Sequence, residues 1–235
     1  MNFLQSIVVT FCVVFSTAVF AEKEPEQNTL SSEVDPLELT AHQVIQTTTE
    51  RVMKIIVDAQ GYIKTDPNRF YGEVNAVLDD VVDFDSFARG VMGEYASSRR
   101  YKKLKTEEEK TQFKARMKRF SAIFKRGLVQ TYATGLLAFD GNKIEILPPK
   151  KADEKGNTVT VIQHIYGSAE KPYVVHYKVR RNKTNEWKLR NLTIEAINLG
   201  KVYRSQFYSA VKQHNGDVDQ AIDNWSVGPD QAEAS

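Results

Sequence analysis

The chain has 235 residues, 41% hydrophobic and 26% charged, with a net charge of +2. That composition is ordinary for a globular domain and excludes low-complexity and collagen-like classes; past residue 20 no apolar run is long enough to cross a bilayer. A single cysteine, Cys12, excludes an internal disulfide framework.

At the N-terminus, an apolar run from Ile7 to Phe20 ends in Val19-Phe20-Ala21, the small-residue pattern of a signal-peptidase site. Residues 1–21 are therefore expected to be a cleaved export signal. A membrane anchor is the competing reading, but the run is short for a span and leads straight into Glu22 and Lys23. Cys12 lacks the preceding small residues of a lipoprotein cysteine, so lipid anchoring is not expected. Cleavage would leave a mature chain without a thiol, and so without cysteine catalysis or thiolate metal ligation. Residues 22–39, rich in Glu, Gln, Ser and Pro, carry no helical stripe and read as a flexible lead-in. Residues 228–235 read as a flexible tail, leaving 40–227 as one domain.

Helices come first within that domain. Thr40 and Gln43 have capping-box spacing, and Val44, Thr48, Val52, Ile55, Ile56 and Ala59 form an apolar stripe before Gly61. Asp66-Pro67 opens a second helix with Phe70, Val74, Val77, Leu78 and Val81 inward. Asp83 caps a short third helix, Phe84 to Met92, ending at Gly93. Thr106 and Glu109 open the longest helix, whose Phe113, Met117, Phe120, Phe124, Leu128 and Tyr132 recur at the helical period; Gly127 and Gly135 allow it to bend.

Strands follow: Lys143 to Leu147, Thr158 to Tyr166, Tyr173 to Arg181 and Glu186 to Ile194, with short turns that suit an antiparallel meander. In the third strand Tyr173, Val175, Tyr177 and Val179 face one way, and His176, Lys178 and Arg180 the other. In the fourth, Trp187 and Leu189 share one face and Leu192 and Ile194 another, a change of phase that implies a bulge at Arg190 and Asn191. Asn198 then caps a final amphipathic helix bearing Leu199, Val202, Tyr203, Phe207 and Val211. The expected fold is α+β, a helical layer packed over a curved antiparallel sheet of about four strands.

No catalytic constellation emerges. Asp79, Asp80, Asp83 and Asp85 cluster, but the last two sit where a helix needs a cap. His164 and His176 fall on adjacent strands without further ligands nearby, so no metal site is expected. No nucleophile has a histidine at diagnostic spacing, and no glycine-rich phosphate loop follows a strand. From Arg99 to Arg126 there are twelve Lys and Arg residues against three Glu. The aromatics of that helix lie on its inward stripe instead of interleaving with the basic residues, which argues against nucleic acid. Arg99, Arg100, Lys102, Lys103, Lys114 and Lys118 are left to water as a candidate docking patch for acidic partners or anionic membrane surfaces.

Two segments carry a family resemblance. Trp187-Lys188-Leu189, Ile194-Glu195-Ala196-Ile197-Asn198-Leu199 and Tyr203-Arg204-Ser205-Gln206-Phe207 resemble the C-terminal signature of the MlaC, or toluene-tolerance, family of periplasmic phospholipid carriers. Val82-Asp83-Phe84-Asp85-Ser86-Phe87-Ala88-Arg89-Gly90-Val91-Met92-Gly93, with Phe113, Phe120, Leu128 and Thr131-Tyr132-Ala133, is similar to its middle segment. After Glu195 the chain departs from the family, having Ala196-Ile197-Asn198 where Gly-Val-Ser is more usual.

The resemblance implies that the helix-covered side of the sheet receives phospholipid acyl chains. Phe84, Phe87, Met92, Phe120, Phe124, Leu128 and Tyr132 would line that space from the helices, and Val161, Val175, Tyr177, Val179 and Ile194 from the sheet. Ile197, Val202, Tyr203 and Phe207 would close it. It further implies a monomeric periplasmic carrier with phospholipid as cargo and no cofactor. Its partners would be an outer-membrane lipoprotein complex and an inner-membrane ABC transporter complex, its role outer-membrane lipid asymmetry. Periodicity alone does not separate a lined cavity from a filled core. A small-ligand domain or enzyme using a pocket-facing Asp or His as base, and an interaction protein with a filled core, are the alternatives.

Overall fold

The structure, a computed structural model, describes residues 39–137, 143–150 and 156–227; the expected signal segment, lead-in up to residue 38 and C-terminal tail lie outside the described residues. Helix α1 (Ala41–Ala59) starts at the expected capping box: the Gln43 N–H donates to Thr40 Oγ1 at 3.2 Å, and the Thr40 N–H to Gln43 Oε1 at 2.8 Å. Its buried face differs from the expected stripe, running through Ala41 and Ile45 and then Ile56 and Ala59, with Val44 only half-buried. The reason is a change of partner along the helix. Ala41 and Ile45 join the main core, whereas Ile56 and Ala59 pack with Phe70, Val74 and Ala133 in a second cluster.

Helix α2 (Pro67–Val81) is capped by Asp66, and α3 (Phe84–Met92) by Asp83, which accepts the Ser86 N–H at 2.8 Å. Helix α3 stops at Gly93, φ +56°, a conformation that favours glycine; a Cβ there would also lie 2.7 Å from the Tyr208 hydroxyl oxygen. A 3₁₀ turn (Gly93–Ala96) and a short helix α4 (Ser98–Lys102), neither expected from periodicity, lead to α5 (Glu107–Leu137). Gly127 has a packing role: a Cβ would meet Val227 Cγ2 at 2.5 Å.

The sheet has one strand more than expected. Strands β1 (Lys143–Ile146), β2 (Thr158–Tyr166), β3 (Tyr173–Arg181), β4 (Trp187–Ile194) and β5 (Ile197–Asn198) pair antiparallel in sequence order. Lys178 pairs with Asn191 and Val179 with Leu189, so Arg190 is an extra residue without a cross-strand partner. That insertion resolves the change of phase in β4. Ile194 lies opposite Val175, Leu192 opposite Tyr177, Leu189 opposite Val179 and Trp187 opposite Arg181, which brings both apolar pairs onto the one inner face. At the β4–β5 corner Glu195 takes φ +54°. Two bonds to Val174 hold it there: the Glu195 N–H donates to the Val174 carbonyl at 2.8 Å, and its carboxylate accepts the Val174 N–H at 2.6 Å.

Asn198 caps α6 (Leu199–Gln213), and Asp217 caps a last helix, α7 (Val218–Asp223), that sequence reading missed. Its signal was legible: a cap followed by Val218, Ala221, Ile222 and Trp225 at helical spacing, all buried. Trp225 closes the deep end of the core, its ring 5.5 Å from Phe120 and 5.6 Å from Phe207. Outside, Arg116 and Arg119 both bond Asp219, and Arg119 Nε lies 3.3 Å from Asp223, tying α7 to α5. Hydrogen bonding by Arg116 holds the Asp219 carboxyl below the usual carboxylate range. A lowered folded pKa means that the unfolded chain binds the proton more readily, so this contribution is present above the unfolded value, about 4, and is lost as pH falls through the folded one. Urea unfolding across acid pH should therefore show wild-type stability falling in that window, with a shallower fall in Asp219→Asn.

Candidate functional site

Cross-strand pairing sorts the inner face of the sheet into transverse rows. Val159, Val179 and Leu189 form the first, Val161, Tyr177 and Leu192 the second, and Ile146, Gln163, Val175, Ile194 and Ile197 the third. Ile144, Ile165 and Tyr173 form the fourth. Cover by the helices falls along this series. The first row is buried throughout; in the second Val161 is buried and Tyr177 and Leu192 half-buried; in the third Gln163 and Val175 are buried, Ile146 and Ile194 half-buried and Ile197 36% exposed; the fourth has no buried member, and Tyr173 there is 39% exposed. Val202, near the start of α6, is 37% exposed, so three of the four large apolar side chains exposed among the described residues belong to this end. The helical layer and the sheet thus close tightly at one end and leave an apolar margin at the other.

The sixteen candidate lining residues divide along the same gradient. Phe120, Phe124, Phe207, Met92, Val161 and Val179 are fully buried, and Phe87 nearly so. Their rings interlock: Phe120 is 4.7 Å from Phe207 and 5.8 Å from Phe124, and Phe124 is 5.2 Å from Phe87. These residues form the closed end. Leu128, Val175 and Tyr203 are buried; Tyr132, Tyr177 and Ile194 are half-buried; and Ile197 and Val202 stand at the margin. Phe84, at the start of α3, is half-buried and packs against the same core, with Lys125 5.7 Å from its ring centroid.

Two hydrogen-bonded groups cross the interior. Tyr177 donates to Gln163 Oε1 at 2.6 Å and Gln163 Nε2 donates to Thr49 Oγ1 at 2.9 Å, linking α1 to β2 and β3. The hydroxyls of Tyr132 and Tyr203 lie 2.9 Å apart, linking α5 to α6. Burial raises the pKa of Tyr132, Tyr177 and Tyr203, so all three stay protonated at physiological pH. Sequence reading missed Gln163, whose one signal was its odd-numbered place among the inward Val159 and Val161.

The acidic cluster is engaged in ion pairs and caps. Asp79 meets Lys125 at 2.6 Å, Asp80 meets Arg51 at 2.8 Å, Asp83 meets Arg190 at 2.9 Å, and Asp85 accepts from Ser121 at 2.6 Å. His164 and His176 lie on the outer face by register, and no group of three metal-ligating side chains occurs among the described residues. All six candidate docking residues are exposed, and none forms a salt bridge among the described residues. Arg100 lies 5.6 Å from the Tyr95 ring centroid and Lys114 5.7 Å from that of Tyr101.

Together these features define an α+β domain whose helical layer covers one face of an open antiparallel sheet unequally from end to end. The model of the family described as MlaC protein matches residues 46–227, and the chain belongs to that family. Toluene tolerance protein ttg2D of Pseudomonas putida is 33% identical over 187 residues, covering 80% of each chain. A solved structure, the phospholipid-binding protein from Ralstonia solanacearum in complex with a phospholipid, matches in fold with a TM-score of 0.64 at 20% identity, covering 79% of this chain and 96% of that one.

Replacing Gln163 by Leu should leave the Tyr177 and Thr49 hydroxyls buried without their partner, lowering unfolding stability by about 1–3 kcal/mol. Adding Tyr177→Phe and Thr49→Val should restore much of the loss, as measured by urea titration of the series.

Proposed function

We propose that the protein is a phospholipid carrier whose cargo enters between the sheet and the helical layer at the Ile144–Ile165–Tyr173 end. The observation that carries this reading is the graded cover of the inner sheet face: apolar side chains continue to its margin although the helices do not fully cover them there. Chains would pass between the half-buried Tyr132, Tyr177, Leu192 and Ile194 toward the aromatic end, and the head group would stay at the margin. Membership of the MlaC family and the phospholipid held by the Ralstonia solanacearum protein of similar fold support it.

The energetics make such a carrier necessary. Exposing one acyl chain of roughly fifteen methylenes to water costs about 12 kcal/mol, so an uncovered lipid rarely crosses an aqueous space. Carrier and bilayer both remove this cost, and net direction must come from partners. In this reading residues 1–21 direct export to the periplasm and are removed, 22–39 and 228–235 flank a binding domain formed by 40–227, and the monomer needs no cofactor. The monomer moves lipid between an outer-membrane lipoprotein complex and an inner-membrane ABC transporter complex, maintaining outer-membrane lipid asymmetry. The ion pairs of Asp79, Asp80 and Asp83, the bond of Asp85 to Ser121 and the outward histidines weigh against the enzyme alternative.

Native mass spectrometry of the purified protein should detect a copurified phospholipid. Val175→Asp or Ile194→Asp should reduce it several-fold, because acyl chains do not solvate a carboxylate. Variants that remain folded by circular dichroism yet retain wild-type lipid would contradict the proposed path.

The exposed cations Arg99, Arg100, Lys102, Lys103, Lys114 and Lys118 act in this reading by steering association. Charge reversal at Arg99 and Arg100 should slow lipid delivery to liposomes carrying the transporter components and flatten its salt dependence, with lipid content of the free carrier unchanged. An unchanged rate and salt slope would remove steering from the account.

A further inference from the structure

At the β3–β4 turn, about 27 Å along the strand from Tyr173 at the rise of an antiparallel strand, lies a cleft that lipid entry does not use. Its volume is about 460 Å³, and its walls are Asp83 and Ser86 from the start of α3, Arg89 from its last turn, Asn182, Lys183 and Thr184 from the turn, and Arg190 from the bulge. Three cations face one carboxylate. Asp83 is already bound by Arg190 at 2.9 Å, and the same guanidinium donates to Ser86 Oγ at 2.8 Å, so Arg190 is held in place in the wall. Neither Arg89 nor Lys183 forms a salt bridge among the described residues, and both are exposed. Nearby Glu186 is engaged by Asn182 and Thr184, each at 2.9 Å or less, and does not line the cleft.

We propose that this cleft binds a phosphate-bearing anion. The excess of three cations over one carboxylate matches the charge of a phosphomonoester, about −1.5 to −2 at neutral pH. The planar Arg89 guanidinium can engage two phosphate oxygens at once, while Lys183 supplies a mobile point charge from the turn. The cleft is larger than a bare phosphate and each residue lining it bears a polar or charged side chain, which fits a phosphate carrying a small polar organic group. Its position at the closed end of the sheet permits occupation while the open end holds cargo. The same chemistry is offered by a soluble phosphate ester or by a lipid head group in a bilayer.

The test is titration of the ¹⁵N-labelled full-length protein with sn-glycerol 3-phosphate, followed by amide resonances. Saturable shifts should centre on residues 83–90 and 182–190, and the double substitution Arg89→Gln and Lys183→Gln should weaken binding by about tenfold or more. Because both side chains are exposed and outside the ion pairs, the variant should keep its fold and its copurified lipid. Absence of saturable shifts, or an affinity that survives the double substitution, would overturn the site. Cosedimentation with phosphatidylcholine vesicles containing phosphatidic acid then separates the sources. Loss of vesicle binding in the same variant assigns the anion to a lipid surface, and vesicle behaviour independent of it assigns a soluble ester.

Discussion

A single inserted residue organises the sheet. With strict alternation, β4 would present Trp187 and Leu189 to one side and Leu192 and Ile194 to the other, leaving half of its apolar surface in water. The bulge at Arg190 turns both pairs inward, and the guanidinium it releases from the ladder anchors Asp83 and Ser86 at the start of α3. The Asp83 N–H also donates to the Leu189 carbonyl at 2.9 Å, beside a parallel bridge between Val82 and Leu189. One irregularity therefore completes the inner face and docks the helical layer against it.

From that docking point the two layers diverge in character. Near the bulge the interior is closed by interlocked aromatics from α3, α5, α6 and the chain after α7, while toward β5 the same sheet face ends in half-covered and exposed apolar side chains. In the proposed carrier an acyl chain would enter at the loosely covered end, and the packed aromatics at the other would hold the fold. The hydrogen bond from Gln163 to Thr49 ties α1 to the sheet and sets how far these two separate before buried polar groups lose partners, while Tyr132–Tyr203 ties α5 to α6 within the helical layer.

Much of this was legible in the sequence because the signals were local. The caps Thr40, Asp66, Asp83 and Asn198 each begin the helix they were expected to begin, and β2 and β3 have the expected bounds. The phase change in β4 placed the bulge correctly. What was not legible depended on contacts between distant segments. The turn of α1 from one core cluster to another, the role of Gly127 beneath Val227, and the link from Thr49 to Gln163 have no local pattern. Helix α7 was missed although its cap and apolar spacing were present, because six residues carry too little periodicity to stand out. For the candidate site, the stripes identified inward residues but not the difference between a filled end and an open one, which arises from where the helices stop covering the sheet.

That difference is the centre of the functional account, and site-specific photocrosslinking reads it directly. A photoreactive phenylalanine analogue placed at Ile194, on the half-covered inner face, should crosslink to copurified phospholipid on irradiation, with the adduct identified by mass spectrometry of the intact chain. The same analogue at Lys178, exposed on the outer face, should yield none. Lipid adducts at Lys178 and none at Ile194, in folded protein that carries phospholipid, would contradict entry between the sheet and the helical layer.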